Sequence, residues 1–127
     1  MKQIISTTKA PSAIGPYNQA TAFDKLLFLS GQIPLVPQTM EIIEGGVKEQ
    51  TVQVMENLKA VLEEASSSFE NVLKTTCYLS DMDNFVAFNE IYGEYFKGET
   101  APARSTVAVK TLPKNVLVEV DVIAFKN

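Results

Sequence analysis

The last stretch of the chain, "VLVEVDVIAF" (116–125), limits the possible folds more than any other. It is too rich in β-branched residues to favour a helix, and its residues alternate with period two, as side chains do along a strand. Val116, Val118, Val120, Val122 and Ala124 share one face, and that face is wholly apolar. Leu117, Glu119, Asp121, Ile123 and Phe125 share the other, where two acids interrupt an apolar row. A strand of this kind needs a packed layer on one side and a half-polar environment on the other.

The packed layer is legible upstream. From Val47 to Ala65 apolar residues recur in steps of three and four (47, 54, 58, 61, 62, 65, with Thr51 between), which predicts an amphipathic helix. A second helix is predicted after Ser80 or Asp81, either of which could cap it, with Phe85, Phe88, Tyr92 and Phe96 on one face. Strands are expected at residues 2–6, 19–23, 26–30, about 71–79 and about 103–109, besides the last one. "PSAIGPYNQ" (11–19) reads as a loop, "DK" (24–25) as a tight connection without the usual Gly, the stretch after Ser30 as a loop with a short extended piece near Ile42, and "TLPKN" as a turn. The order β β β α β α β β, six strands with two interspersed helices, predicts a two-layer α+β domain: a mixed sheet of about six strands with both helices on one face. A chain of 127 residues has no third layer to cover the other face, so self-association is expected. No repeat or low-complexity tract divides the chain, and residues 1–127 are read as one domain.

Composition removes whole classes of chemistry. There is no His, which excludes Ser-His-Asp and Cys-His catalysis and His-containing metal sites; a single Cys excludes an internal disulfide and CxxC chemistry. Neither GxxxxGK[ST] nor GxGxxG occurs. The net charge of −4, with no run of Lys or Arg, argues against a nucleic-acid binder. No signal-peptide core or bilayer-length apolar run is found, and the protein is read as cytoplasmic.

What remains for chemistry is a short set of residues. Arg104, in "TAPARSTVAV", cannot shed its charge; it faces water, pairs with a carboxylate of the protein, or receives an anion from outside. Its guanidinium fork matches a carboxylate through two parallel hydrogen bonds. Glu119 is either a solvent-facing strand residue or a half-buried carboxylate with a raised pKa, suited to general acid/base work. Asp121 could pair with an Arg or Lys of the fold. Tyr17 and Ser30 stand at loop edges where they could orient a ligand, Gly31 permits close backbone approach, Asn89 borders the apolar face of the second helix, and Cys77 reads as a small buried hydrophobe.

Five stretches, "IGPYNQA" (14–20), "FLSGQIP" (28–34), "FNEIYGEYF" (88–96), "APARSTVAV" (101–109) and "VEVDVIA" (118–124), together resemble the RidA (YjgF-like) reactive intermediate deaminases, in order and almost end to end. The resemblance implies a chorismate-mutase-like fold assembled as a homotrimer with clefts between subunits. It also implies hydrolysis of 2-imino or enamine acids, such as 2-iminobutanoate and the 2-iminopropanoate tautomer of 2-aminoacrylate, to 2-oxo acids and ammonia, with no metal and no cofactor. By the same resemblance Arg104 is the carboxylate clamp, Glu119 the water-handling acid, and Tyr17, Ser30, Gly31 and Asn89 line the cleft. Thr106 stands where many active members carry Cys; the family's contact there is mainly through backbone. Two other readings compete: a carboxylate or 2-oxo acid sensor without turnover, which would also use Arg104, and the ribonuclease activity described for some relatives.

Overall fold

The last strand of the chain lies inside the sheet. A computed structural model describes residues 1–127. It has six strands, β1 (Gln3–Ile5), β2 (Ala20–Phe23), β3 (Leu26–Gln32), β4 (Val72–Leu79), β5 (Ala103–Ala108) and β6 (Val118–Phe125), and two helices, α1 (Val47–Glu64) and α2 (Phe85–Tyr95). They form one sheet in the order β1-β2-β3-β6-β4-β5. All neighbours are antiparallel except β4 and β5, which are parallel and joined through α2, the helical crossover that a parallel pair requires. The sheet is therefore mixed, and the two-layer α+β expectation is met.

The alternation of β6 is realised as read. Val118, Val120, Val122 and Ala124 are at most 1% exposed and pack with Leu27 and Leu29 of β3 and Cys77 and Leu79 of β4. Above them lie Val54, Met55, Leu58, Val61 and Leu62 of α1 and Phe88 and Tyr92 of α2. Burying side chains of this size contributes roughly 1.5–3 kcal/mol each. Glu49 accepts a hydrogen bond from the Gly46 N–H (2.8 Å) and satisfies one of the free donors at the start of α1. Asp81 accepts from the Asp83 N–H (2.8 Å), as the sequence suggests, but it caps a single 3₁₀ turn, Met82–Asn84, that leads into α2. The two-residue connection Asp24–Lys25 works without Gly because Asp24 takes the left-handed conformation (φ 56°), which Asp tolerates. Near Ile42 the extended piece is a single bridge to Leu35.

The opposite face of the sheet is uncovered in the single chain. Phe23, Leu26, Phe28 and Phe125 are exposed there, in cross-strand register with one another and with Ile123. No helix is long and apolar enough to cross a membrane.

Three buried amides tie the loops to this frame. Gln19 donates to the carbonyls of Thr7 (3.0 Å), Ala10 (3.3 Å) and Pro11 (2.7 Å) and accepts from the Thr7 N–H (2.7 Å). Gln50 of α1 accepts from the Leu117 N–H (2.8 Å). Asn57 of α1 donates to the carbonyls of Ile33 (3.3 Å) and Leu35 (2.9 Å). Loops 7–19, 33–35 and 112–117 are thus held by side-chain hydrogen bonds where no ladder reaches them. Replacing Asn57 with Ala leaves both carbonyls without that donor, and should lower stability by about 2 kcal/mol, seen as a lower urea midpoint at unchanged m-value.

Candidate functional site

Arg104 lies on β5 opposite Thr75 of β4, and Thr106 opposite Cys77. Thr75 and Cys77 are fully buried on the helix side of the sheet, so Arg104 and Thr106 face that side too. The guanidinium carbon sits 4.7 Å from the centroid of the Tyr92 ring and 5.4 Å from that of Phe85, within reach of a cation–π attraction to each. Its Nη1 donates to Asn89 Oδ1 at 2.6 Å. It pairs with no carboxylate of the chain, whose one ion pair joins Lys48 to Glu90. Of the three fates open to Arg104, the internal salt bridge is absent, and the residue is exposed. Asn89 proves to be the partner of Arg104, a link the sequence does not reveal. The Thr106 hydroxyl is buried and has no partner.

Cys77 behaves as the sequence suggests. Burial raises its thiol to about 11, although the fold brings the Arg104 charge near enough to pull the other way. Desolvation outweighs the cation, and the thiol stays protonated at neutral pH.

Glu119 lies on the other face of the sheet, opposite Tyr78 of β4. It borders a cleft of about 520 Å³ together with Ile14, Tyr17, Ser30, Gly31, Ile33, Pro113 and Lys114. Four of the residues singled out in the sequence therefore meet here. The β3–β6 register shifts between Leu29 and Gln32, so Ser30 and Gly31 form an irregularity at the cleft, where such a break re-aims side chains. Ser30 is fixed there: its hydroxyl donates to the Asn18 carbonyl (2.6 Å) and its N–H to the Gln19 carbonyl (2.9 Å). This ties the strand to the loop that carries Tyr17. The role of Gly31 is close approach: a Cβ there would lie 2.9 Å from Glu119 Cδ and nearer still to its Oε2. Tyr17 is 48% exposed, its phenol oxygen only weakly engaged by the Ile14 N–H (3.4 Å).

The Glu119 carboxyl has a raised pKa, first because it is half-buried and second because the Asp121 charge lies near. Asp121 itself accepts from the Tyr78 hydroxyl (3.2 Å), so its partner is a phenol, not the Arg or Lys considered from the sequence. Lys114 and Pro113 were legible only as part of a turn. Lys114 and Asn115 both take left-handed conformations (φ 56° and 57°), costly for Lys by roughly 1 kcal/mol. This tight reversal places Pro113 and Lys114 on the rim of the cleft.

The sheet separates Arg104 from Glu119. Asn89, Arg104 and Thr106 form one group on the helix side; Tyr17, Ser30, Gly31 and Glu119 form another on the open side. Within one chain the two groups do not line a common cleft.

The raised pKa of Glu119 has a consequence for stability. Between its unfolded and folded pKa values the native state binds more proton, so stability falls as pH rises through that window. Glu119→Gln removes this loss. The variant should be more stable than the parent at pH 7, with the difference shrinking toward pH 4, in thermal unfolding followed across that range.

Residues 7–126 match the sequence model of the Endoribonuclease L-PSP family. A mouse protein named 2-iminobutanoate/2-iminopropanoate deaminase is 45% identical over 127 residues, covering 100% of this chain and 93% of its own. RidA from the Antarctic bacterium Psychrobacter sp. PAMC 21119 superimposes with a TM-score of 0.92 at 41% identity, over 97% of this chain and 98% of that one. Escherichia coli TdcF, solved with bound serine, does so with a TM-score of 0.91 at 40% identity, over 98% and 99%. The match spans nearly every residue of the sheet, both helices and all the loops that border the cleft, and on that ground the chain belongs to the RidA/YjgF family.

Proposed function

We propose that the protein hydrolyses reactive 2-imino and enamine acids, among them 2-iminobutanoate and 2-iminopropanoate, to 2-oxo acids and ammonia. The observation that carries this reading is the guanidinium of Arg104, exposed, held by Asn89 and paired with no carboxylate of its own chain. A small acid can take the place of the missing partner through two parallel hydrogen bonds. The name of the mouse relative supports the activity, and the serine bound to E. coli TdcF is a small amino acid of the same carboxylate class.

The opposed faces of the two residue groups call for a second copy of the chain. In the proposed assembly, a homotrimer, Arg104, Asn89 and Thr106 of one subunit meet Tyr17, Ser30, Gly31 and Glu119 of the next. The exposed Phe28, Leu26 and Phe125 would be covered in the process, removing an apolar surface that a monomer rarely leaves open. We further assign it to the cytoplasm, where its one free thiol needs no pairing.

The chemistry asks little of the protein. An imine carbon is already electrophilic. Arg104 fixes the carboxylate and so the orientation of the C=N bond, which supplies the advantage of positioning. Glu119, with its raised pKa, takes a proton from water as the oxygen adds to carbon. It returns the proton to nitrogen to give the aminol. Glu119 then carries the aminol hydroxyl proton to the nitrogen as the C=O bond forms and the C–N bond breaks, giving the 2-oxo acid and ammonia. Water adds, ammonia leaves, and no electron is exchanged. This sequence needs neither a metal nor a cofactor.

A sensor of 2-oxo acids would use the same arginine; it gains nothing from a carboxylate beside a carboxylate ligand, which favours turnover. A ribonuclease is suggested by the name of the family model, but a net charge of −4 and the lack of His oppose it.

Ammonia release in a coupled amino-acid oxidase assay tests the reading. Arg104→Lys keeps the charge but loses the fork, and should lower kcat/KM by about 100-fold, roughly 2.7 kcal/mol of transition-state binding. Glu119→Gln should lower kcat by at least about 100-fold, the usual share of one acid/base group. Light scattering at micromolar concentration should report three times the chain mass. Parent-like rates in Arg104→Lys would remove the clamp role, and a monomer would remove the composite cleft.

A further inference from the structure

The arginine of the proposed clamp rests on an anchored support. Tyr92 is 7% exposed, and its ring lies under the Arg104 guanidinium at 4.7 Å. The ring is fixed at its far end, where its hydroxyl and the Thr75 hydroxyl share a hydrogen bond of 2.8 Å. Thr75 is fully buried and is also the cross-strand partner of Arg104. The backbone pairing that places Arg104 therefore also places the group that fixes the ring beneath it. Packing adds to this restraint: Phe88 and Phe96 stand 5.5 and 4.8 Å from Tyr92. Asn89, one turn earlier on α2, holds Nη1 from the side.

A ring below and an amide at the edge restrain both the tilt and the in-plane rotation of the guanidinium. One of its five N–H donors is used by Asn89, leaving four for a ligand. An exposed arginine otherwise loses much side-chain freedom on binding, a cost of order 1 kcal/mol per immobilised side chain. Here that ordering is built into the subunit before any ligand arrives. Burial also raises the Tyr92 phenol, which keeps it neutral and able to bond Thr75 across the physiological range.

We infer that Tyr92 is a positioning residue whose ring, anchored to Thr75 through its hydroxyl, preorganises Arg104 for a small carboxylate. This rests on the proposed role of Arg104 as a carboxylate clamp; it makes no use of Glu119. Tyr92 touches no reacting atom, so its loss should weaken ligand capture and leave the chemical step nearly intact.

The test compares Tyr92→Leu, Tyr92→Phe, Thr75→Val and Thr75→Ser with the parent, each as the full chain. Three readouts are used: NMR hydrogen exchange of the Arg104 Nε–H, the Kd of 2-oxobutanoate, and KM and kcat with 2-iminopropanoate. Tyr92→Leu should raise the Kd about tenfold, the size of one partly desolvated cation–π contact, and should speed Arg104 exchange. Tyr92→Phe and Thr75→Val keep the packed volume but lose the anchor; both should speed exchange and raise the Kd severalfold. Thr75→Ser keeps the hydroxyl and should restore parental values. With 2-iminopropanoate, KM should follow the Kd while kcat changes less than about threefold. Should Tyr92→Leu fail to fold, the near-isosteric variants decide. Folded variants with parental Arg104 exchange and Kd would overturn the inference, as would Thr75→Ser behaving like Thr75→Val. If the parent shows no imine hydrolysis, exchange at Arg104 still responds to the anchor; the proposed activity then fails and the positioning role stands.

Discussion

The structure depends on the pleat of one interior strand. β6 pairs with β3 on one side and β4 on the other, and its even-numbered residues form the floor of the core beneath both helices. Period-two geometry then leaves its odd-numbered residues no choice of face. Glu119 and Asp121 must stand on the open side, and there Glu119 meets the break in β3 at Ser30 and Gly31. The same rule, carried across β4 to the parallel edge strand, puts Arg104 on the helix side. The packing that makes the domain stable thus also parts the two groups of polar residues.

This separation shapes the electrostatics. Arg104 stands at the sheet edge against aromatic rings and an amide, a setting that orients a cation without neutralising it. Glu119 lies half-buried beside a second acid, a setting that favours its protonated form. No ion pair joins the two, so the Arg104 fork stays open and no cation lowers the Glu119 pKa. Holding them apart keeps each free for a ligand, provided that another copy of the chain closes the distance.

Much of the fold was legible in the residues. Helix α1 and strand β6 have strong, opposite periodicities, and their boundaries fall within a residue or two of those expected. The open face was implied by the element count, two helices for one side of the sheet and no third layer for the other. The candidate residues Tyr17, Ser30, Gly31 and Glu119 meet at one cleft, although nothing local links residue 17 to residue 119. What could not be read were contacts made by side chains far apart in the chain: the bond between Arg104 and Asn89, the phenol of Tyr78 on Asp121, the amides of Gln19 and Asn57 that hold the loops, and the left-handed turn that brings Lys114 to the cleft. A polar residue in a sequence carries no mark of which distant carbonyl or ring it will meet.

By itself the sequence determined the element order, the buried face of each element and the kinds of group available for chemistry, because periodicity and residue type are local properties. Only the tertiary structure decided which groups meet. The strand order, with the last strand inserted between the third and fourth, is a long-range pairing that no local pattern encodes. It sets Arg104 on one face and Glu119 on the other, because a sheet one strand thick divides whatever its pleat sends to opposite sides.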